Sequence, residues 1–164
     1  MVELVLALPF LLVFVFAIAE YTVLLIRAQH VTSMSREAAG AVYRDCMAYS
    51  GDQLNACLAG ITGQITQGAS RNLLPGLDKN GKVIVSLYGV TVPGGPVVLK
   101  GTSQAGDGAY GSRFSALSID PDVVSDLGDV AVGEVFYPPE RLTPLTGWLH
   151  WDNFPEVLYE TTVF

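Results

Sequence analysis

The chain has 164 residues, half of them apolar, with a net charge of −7 and a pI near 4.6. That balance excludes nucleic acid as a partner, because neutralising phosphates takes clustered Lys and Arg and no basic run exists. The length holds one domain plus an appendage, and a mean hydropathy of +0.39 is more than a water-soluble domain needs.

The excess is concentrated at the start. From Leu4 to Ala19 every residue is apolar or the uncharged Pro9, and after Glu20-Tyr21-Thr22 the run resumes as Val23-Leu24-Leu25-Ile26. A helix over this stretch is roughly 35 Å long, enough to cross a hydrocarbon layer of about 30 Å. A cleaved secretory signal fits poorly, since such signals open with a basic segment and this chain opens Met1-Val2-Glu3. Arg27, Arg36 and Arg44 all follow the span, which by the positive-inside rule alone puts the domain in the cytoplasm. A basic leader removed from in front of Met1 resolves that conflict.

Helical spacing continues past Ile26, with Val31, Met34, Ala38, Ala41, Val42, Cys46 and Tyr49 recurring at threes and fours. One helix is predicted from about residue 2 to about 49, apolar all round at first and amphipathic later, and ended by Ser50-Gly51. Asp52 is the predicted N-cap of a second helix, whose apolar face carries Leu54, Cys57, Leu58, Ile61 and Ile65. Gly68 and residues 72–76 close it.

Strand patterns follow. Residues 82–92 alternate around Val83, Val85 and Leu87 after Asp78-Lys79-Asn80-Gly81, where Asn-Gly signals a tight turn. Pro93-Gly94-Gly95-Pro96 is a further turn, residues 97–100 a short strand, and the Gly-rich residues 101–111 a surface loop. Asp120-Pro121 opens a short helix that Gly128 stops. Residues 129–137 and 156–163 complete the strands, around a Pro- and aromatic-rich insertion at 138–155. Three or four short strands cannot bury both faces, so the second half of the long helix packs across an antiparallel sheet. The first half is then left to lipid or to copies of itself.

Glu3 and Glu20 bracket the apolar run, where a carboxylate is costly unless paired. Two readings are open for Glu3: it accepts the N-terminal ammonium of a neighbouring subunit, or it is solvated among headgroups. Glu20 has the same choice, with water reachable from the far end of the span. Pro9 removes one backbone donor and frees the Val5 carbonyl, which permits a kink in a packed helix assembly or is harmless so near the start.

Met1-Val2-Glu3-Leu4-Val5-Leu6-Ala7-Leu8-Pro9 and the run ending Ala19-Glu20-Tyr21 resemble the N-terminal signature of TadE-like pseudopilins, from the tight-adherence branch of type IV pilus systems. Residues 132–137 and 158–164 are similar to the closing strands of many members, while residues 50–128 have no counterpart. The resemblance implies a prepilin cut after a glycine by a dedicated peptidase, leaving a glutamate as the fifth mature residue. Glu3 is the matching position but stands third, so that either Met1 is a truncated start with a leader upstream or the register differs.

Cys46 and Cys57 are the only cysteines, and an even count outside the cytoplasm points to a disulfide, with two buried free thiols as the alternative. No spacing suits zinc, haem or redox chemistry, and no cofactor is expected. Asp78-Lys79-Asn80-Gly81 opens like a calcium loop but lacks the later ligands, so a turn is the better reading. His30 and His150 have no evident partners, and no nucleophile elbow or acid pair makes a catalytic case. Tyr137, Trp148, Trp151 and Phe154, with Pro138, Pro139, Pro144 and Pro155, are candidate contacts for a neighbouring subunit or a sugar, or else a loop folded over the sheet edge.

The expected architecture is α+β and pilin-like: residues 1–26 an assembly and membrane helix, residues 27–164 an extracytoplasmic domain with a second helix on a small antiparallel sheet. The expected function is that of a structural, non-enzymatic subunit of a type IV or Tad-like filament. It sits in the inner membrane before assembly and on the cell surface afterwards. Its partners would be copies of itself or other pilins, the prepilin peptidase and the assembly machinery. The alternatives are a minor pseudopilin that primes or caps a pilus, and a bitopic envelope protein with an extracytoplasmic ligand-binding domain.

Overall fold

The computed structural model of the chain describes residues 2–92, 95–140 and 155–164, and for residues 2–6 and 127 the backbone alone. Its dominant element is α1, Val2–Cys46, a 45-residue helix that runs through Pro9 without a break. At about 1.5 Å per residue it is about 68 Å long, far more than a domain of this size needs to cover its sheet. The helix stops at Cys46, three residues short of the predicted end, and Tyr49 donates its backbone N–H to the Cys46 carbonyl at 3.1 Å in the turn that follows.

Helix α2, Gly51–Asn72, begins two residues earlier than expected. Ser50, extended at φ −141° and ψ 159°, holds the N-cap position without a side-chain capping bond, and Asp52 lies in the first turn. Its carboxylate is still well placed, because the unpaired N–H groups of a first turn favour negative charge. The helix also passes through Gly68. A single turn α3, Leu77–Asn80, replaces the tight turn expected at Asn80-Gly81. Leu77 is fully buried, and sinking that side chain into the core winds the segment into a helical turn.

Four strands follow: β1 Lys82–Val90, β2 Val97–Ala105, β3 Val130–Tyr137 and β4 Leu158–Val163. They form one antiparallel sheet in the order β2-β1-β3-β4. Strand β2 is five residues longer than its sequence pattern indicates. Gly101, read as the start of a loop, lies inside it, where a Cβ would come within 3.0 Å of Leu54 and Leu58 of α2. Between β2 and β3 lie a 3-10 turn, Ala116–Ser118, and α4, Pro121–Leu127. As expected, Asp120 caps α4, accepting from the Asp122 backbone N–H at 3.0 Å, with Pro121 at the first helical position.

The two long helices lie side by side on one face of the sheet, α1 over β3 and β4, α2 over β2 and β1. Period 3.6 on α1 meets period 2 on β3: Val31, Met34, Ala38, Val42 and Cys46 face Ala131, Val135 and Tyr137. The opposite face is covered by the segment before β3, where Ile119 and Val124 pack on Tyr88, Val130 and Val132. Because both faces are covered, β1 and β3 are buried nearly throughout, which fits their long apolar runs.

Helix and sheet approach each other closely at Gly133. Ser35 donates its hydroxyl to the Gly133 carbonyl at 2.8 Å and lies 2.9 Å from the Thr162 hydroxyl. A Cβ on Gly133 would come within 2.5 Å of the Ser35 carbonyl oxygen and 2.9 Å of the Ala39 nitrogen, both backbone atoms. Gly133→Ala is therefore expected to push α1 off β3 and lower unfolding stability by about 1–3 kcal/mol, the usual range for overpacking. Chemical denaturation of the detergent-solubilised chain measures this, and an unchanged midpoint would mean that the helix has room to move.

Candidate assembly site

The first half of α1 has no sheet beneath it. Phe10, Phe14 and Ile18 are 70 %, 68 % and 65 % exposed, and Leu8, Leu11, Leu12, Val15, Phe16, Tyr21, Leu25 and Ile26 are exposed as well. The helix is long and apolar enough to cross a membrane. Phe10, Phe14, Ile18, Tyr21 and Leu25 follow one another at spacings of four and three, so they form one bulky stripe along the rod.

The other side of the rod is partly covered from Val13 onward. Val13 and Ala17 are half-buried, Glu20 is buried at 4 % exposure, and Val23, Leu24 and Arg27 are half-buried. Arg27 anchors this level of the helix to the end of β3. Its guanidinium donates to the Glu140 carbonyl at 2.6 Å and lies 5.9 Å from the Tyr137 ring centroid. The part of α1 before this level, residues 2–19, is about 27 Å of helix, close to one hydrocarbon thickness.

The residues singled out in the sequence are spread along this rod and its foot. Glu3 is in the first turn of α1, and Pro9 lies inside the same helix two turns later. Tyr137 is a core residue, not a surface one: its ring is buried against Val31, Met34 and Leu77, and its hydroxyl donates to the Pro75 carbonyl at 3.2 Å. Trp148, Trp151 and Phe154 lie outside the described residues. Cys46 and Cys57 are joined in a disulfide, with Cα atoms 5.8 Å apart. The bond ties the end of α1 to the second turn of α2, and closing so short a loop contributes about 2–3 kcal/mol in the chain-entropy model.

The would-be calcium segment is used otherwise. The Ser70 hydroxyl donates to the Asp78 carboxylate and holds its pKa below the usual value, while the Asp78 carbonyl accepts the Asp107 backbone N–H at 2.9 Å. No cluster of three or more His, Cys, Asp or Glu side chains suited to a metal is present among the described residues.

Sequence reasoning passed over Glu134, which is 1 % exposed on the outer face of β3. Its carboxylate accepts from the Ser112 hydroxyl, from the Arg113 and Phe114 backbone N–H groups at 2.8 and 3.2 Å, and from the Tyr159 hydroxyl at 2.9 Å. One signal was available: a single acid in the otherwise apolar run Val130–Tyr137. Four donors satisfy this buried charge, as burial demands.

Residues 1–40 match the family model described as TadE-like protein. This is the family that the N-terminal residues resemble. The matched segment takes in the apolar rod and the part of α1 that crosses β3, and ends before the disulfide. No curated protein and no solved structure matches the chain. The TadE-like family is structural and pilus-related, and the matched helix fits a component of a Tad pilus system.

Burial raises the pKa of Tyr159 to about 12, and the hydrogen bond to Glu134 adds to the effect. A phenol whose folded pKa is raised stabilises the fold fully below its ordinary value near 10, and that contribution fades as pH climbs through about 12. Tyr159→Phe is therefore expected to remove the highest step from the ultraviolet ionisation curve and to flatten the loss of stability between pH 10 and 12. Loss of a step near pH 10 instead would show that Tyr159 ionises as a free phenol.

Proposed function

We propose that this chain is a structural subunit of an extracellular type IV or Tad-like filament, held in the inner membrane before assembly and joined to its neighbours through the N-terminal half of α1. The observation that carries this reading is continuity. The same helix that presents an uncovered apolar rod at residues 8–19 is clamped, without a joint, onto the sheet at Ser35 and Gly133. Burial of the rod among other helices would therefore place the domain rigidly around them. The match to the TadE-like model over residues 1–40 supports the same reading.

In the assembled state, the rod would exchange lipid for protein with little gain in hydrophobic free energy, because lipid tails are as apolar as Leu. Specific polar pairing would then decide alignment, and Glu3 is the carboxylate in the first turn of the rod. Glu3 in the first turn is assigned the neighbour's N-terminal ammonium, and Pro9 the local adjustment that lets helices pack there. The folded domain from about Glu20 onward would form the outer surface. Copies of this chain or other pilins are the partners, and a dedicated peptidase and the assembly machinery deliver the subunit.

Removing one partner of a buried ion pair costs about 3–5 kcal/mol, and here the penalty would recur at each subunit added. Glu3→Ala is expected to leave membrane levels and domain melting unchanged while sharply reducing filaments seen by negative-stain microscopy of sheared material. Glu3→Gln should fall between, since it keeps an acceptor without the charge. Wild-type filament yield from Glu3→Ala at matched expression would refute the pairing.

A further inference from the structure

The outer face of the sheet is covered in an unusual way. Residues 109–118 cross it between two fixed points. At one end Asp107 and Gly108 donate their backbone N–H groups to the Asp78 and Gly81 carbonyls at 2.9 and 3.0 Å. At the other, Ile119 is buried beside Val124. Between these points, the backbone N–H groups that reach the sheet among the described residues are those of Arg113 and Phe114, and both go to the Glu134 carboxylate. The Ser112 hydroxyl goes there too.

The remaining contacts are ring faces, together with Phe114 and Ala116 packed against the cluster of Tyr88, Val130 and Val132. Tyr110 stacks on Phe136 at 5.2 Å, Phe114 tilts onto Tyr88 at 5.6 Å, and the Arg113 guanidinium lies over Phe136 and Tyr159 at 5.5 and 4.9 Å. The other described bonds of the segment are local: the Ser112 hydroxyl donates to the Phe114 carbonyl at 3.3 Å, and the Leu117 N–H donates to the Ser115 hydroxyl at 3.3 Å, with the Leu117 side chain 97 % exposed. By contrast, β1 and β3 are bonded on both sides and sandwiched between two covered faces. Segments with few backbone bonds to the rest of a fold open at lower free energy than its central strands.

We infer that residues 109–118 are a strap that opens from the outer face of the sheet as one unit, with the Glu134 carboxylate as its latch. Opening breaks three hydrogen bonds at a single side chain and leaves the helix-covered core intact. It uncovers Glu134, Phe136 and the side of Tyr88 that Phe114 covers, an aromatic strip with one carboxylate that the closed subunit does not present. The two halves of the molecule are thus held by different means. The helix face is locked by the disulfide and by the Ser35–Gly133 contact, and the strap by one acid.

Amide hydrogen exchange on the full chain in detergent micelles, disulfide intact, tests this. The informative amides are Leu117, Ser118 and Ile119, none of which bonds to Glu134. Glu134→Ala should speed their exchange at least tenfold while β1 and residues 31–46 of α1 keep wild-type protection. Glu134→Gln should speed it less, since its carbonyl oxygen still accepts from Arg113 and Phe114. Unchanged exchange at 117–119 in Glu134→Ala would assign the strap to ring stacking, and equal acceleration in β1 would deny it a separate opening; either overturns the inference. Should Glu134→Ala fail to fold, the wild-type chain in low denaturant decides: 117–119 must open before β1, and opening only together with β1 overturns the proposal.

Discussion

Ser35 of α1 lies directly over Gly133 of β3, its hydroxyl on the glycine carbonyl and its backbone where a side chain would otherwise be. This contact fixes both the rotation and the axial position of a 45-residue helix on a four-stranded sheet. Rotation decides which stripe of α1 is buried, and hence that Val31, Met34, Ala38 and Val42 face the strands. Axial position decides how much helix is left over. With the register set at residue 35, the sheet ends near Arg27 and the apolar rod has nowhere to go but outward.

The rod and the domain demand opposite solvents, and the chain meets both with one uninterrupted helix. The transition falls at Glu20 to Arg27. There Glu20 is buried, and Arg27 is tied to the Glu140 carbonyl and the Tyr137 ring. At the other end of α1, the Cys46–Cys57 bridge makes α2 a rigid extension of the helix, so that both cover the sheet as one layer.

Much of this was legible in the residues. The 3.6-residue spacing from Val31 to Cys46 survives as the buried face with only Ala41 half-buried, and the Cys46–Cys57 bridge is one of the two readings that the even cysteine count left open. Other features were hidden for physical reasons. Thr102, Ser103 and Gln104 are polar because β2 is an edge strand with an exposed side, and so its second half reads as loop. Asn80-Gly81 carries turn chemistry, yet burial of Leu77 outweighs it. Ser35 and Gly133 are small, individually uninformative residues whose meaning lies in their contact across 98 positions. Tyr137 was grouped with the aromatic insertion because it adjoins Pro138 in sequence, although strand alternation turns it into the core.

The central claim is that the folded domain and the projecting rod are separable at about Glu20. A chain that starts at Ala19, lacking residues 1–18, isolates it in a single preparation. The account predicts a water-soluble monomer by light scattering, with both cysteines resistant to alkylation until reductant is added and a cooperative thermal transition. A truncated chain that aggregates or melts without cooperativity would mean that the rod is part of the folded core, and the division on which the assembly reading rests would be wrong.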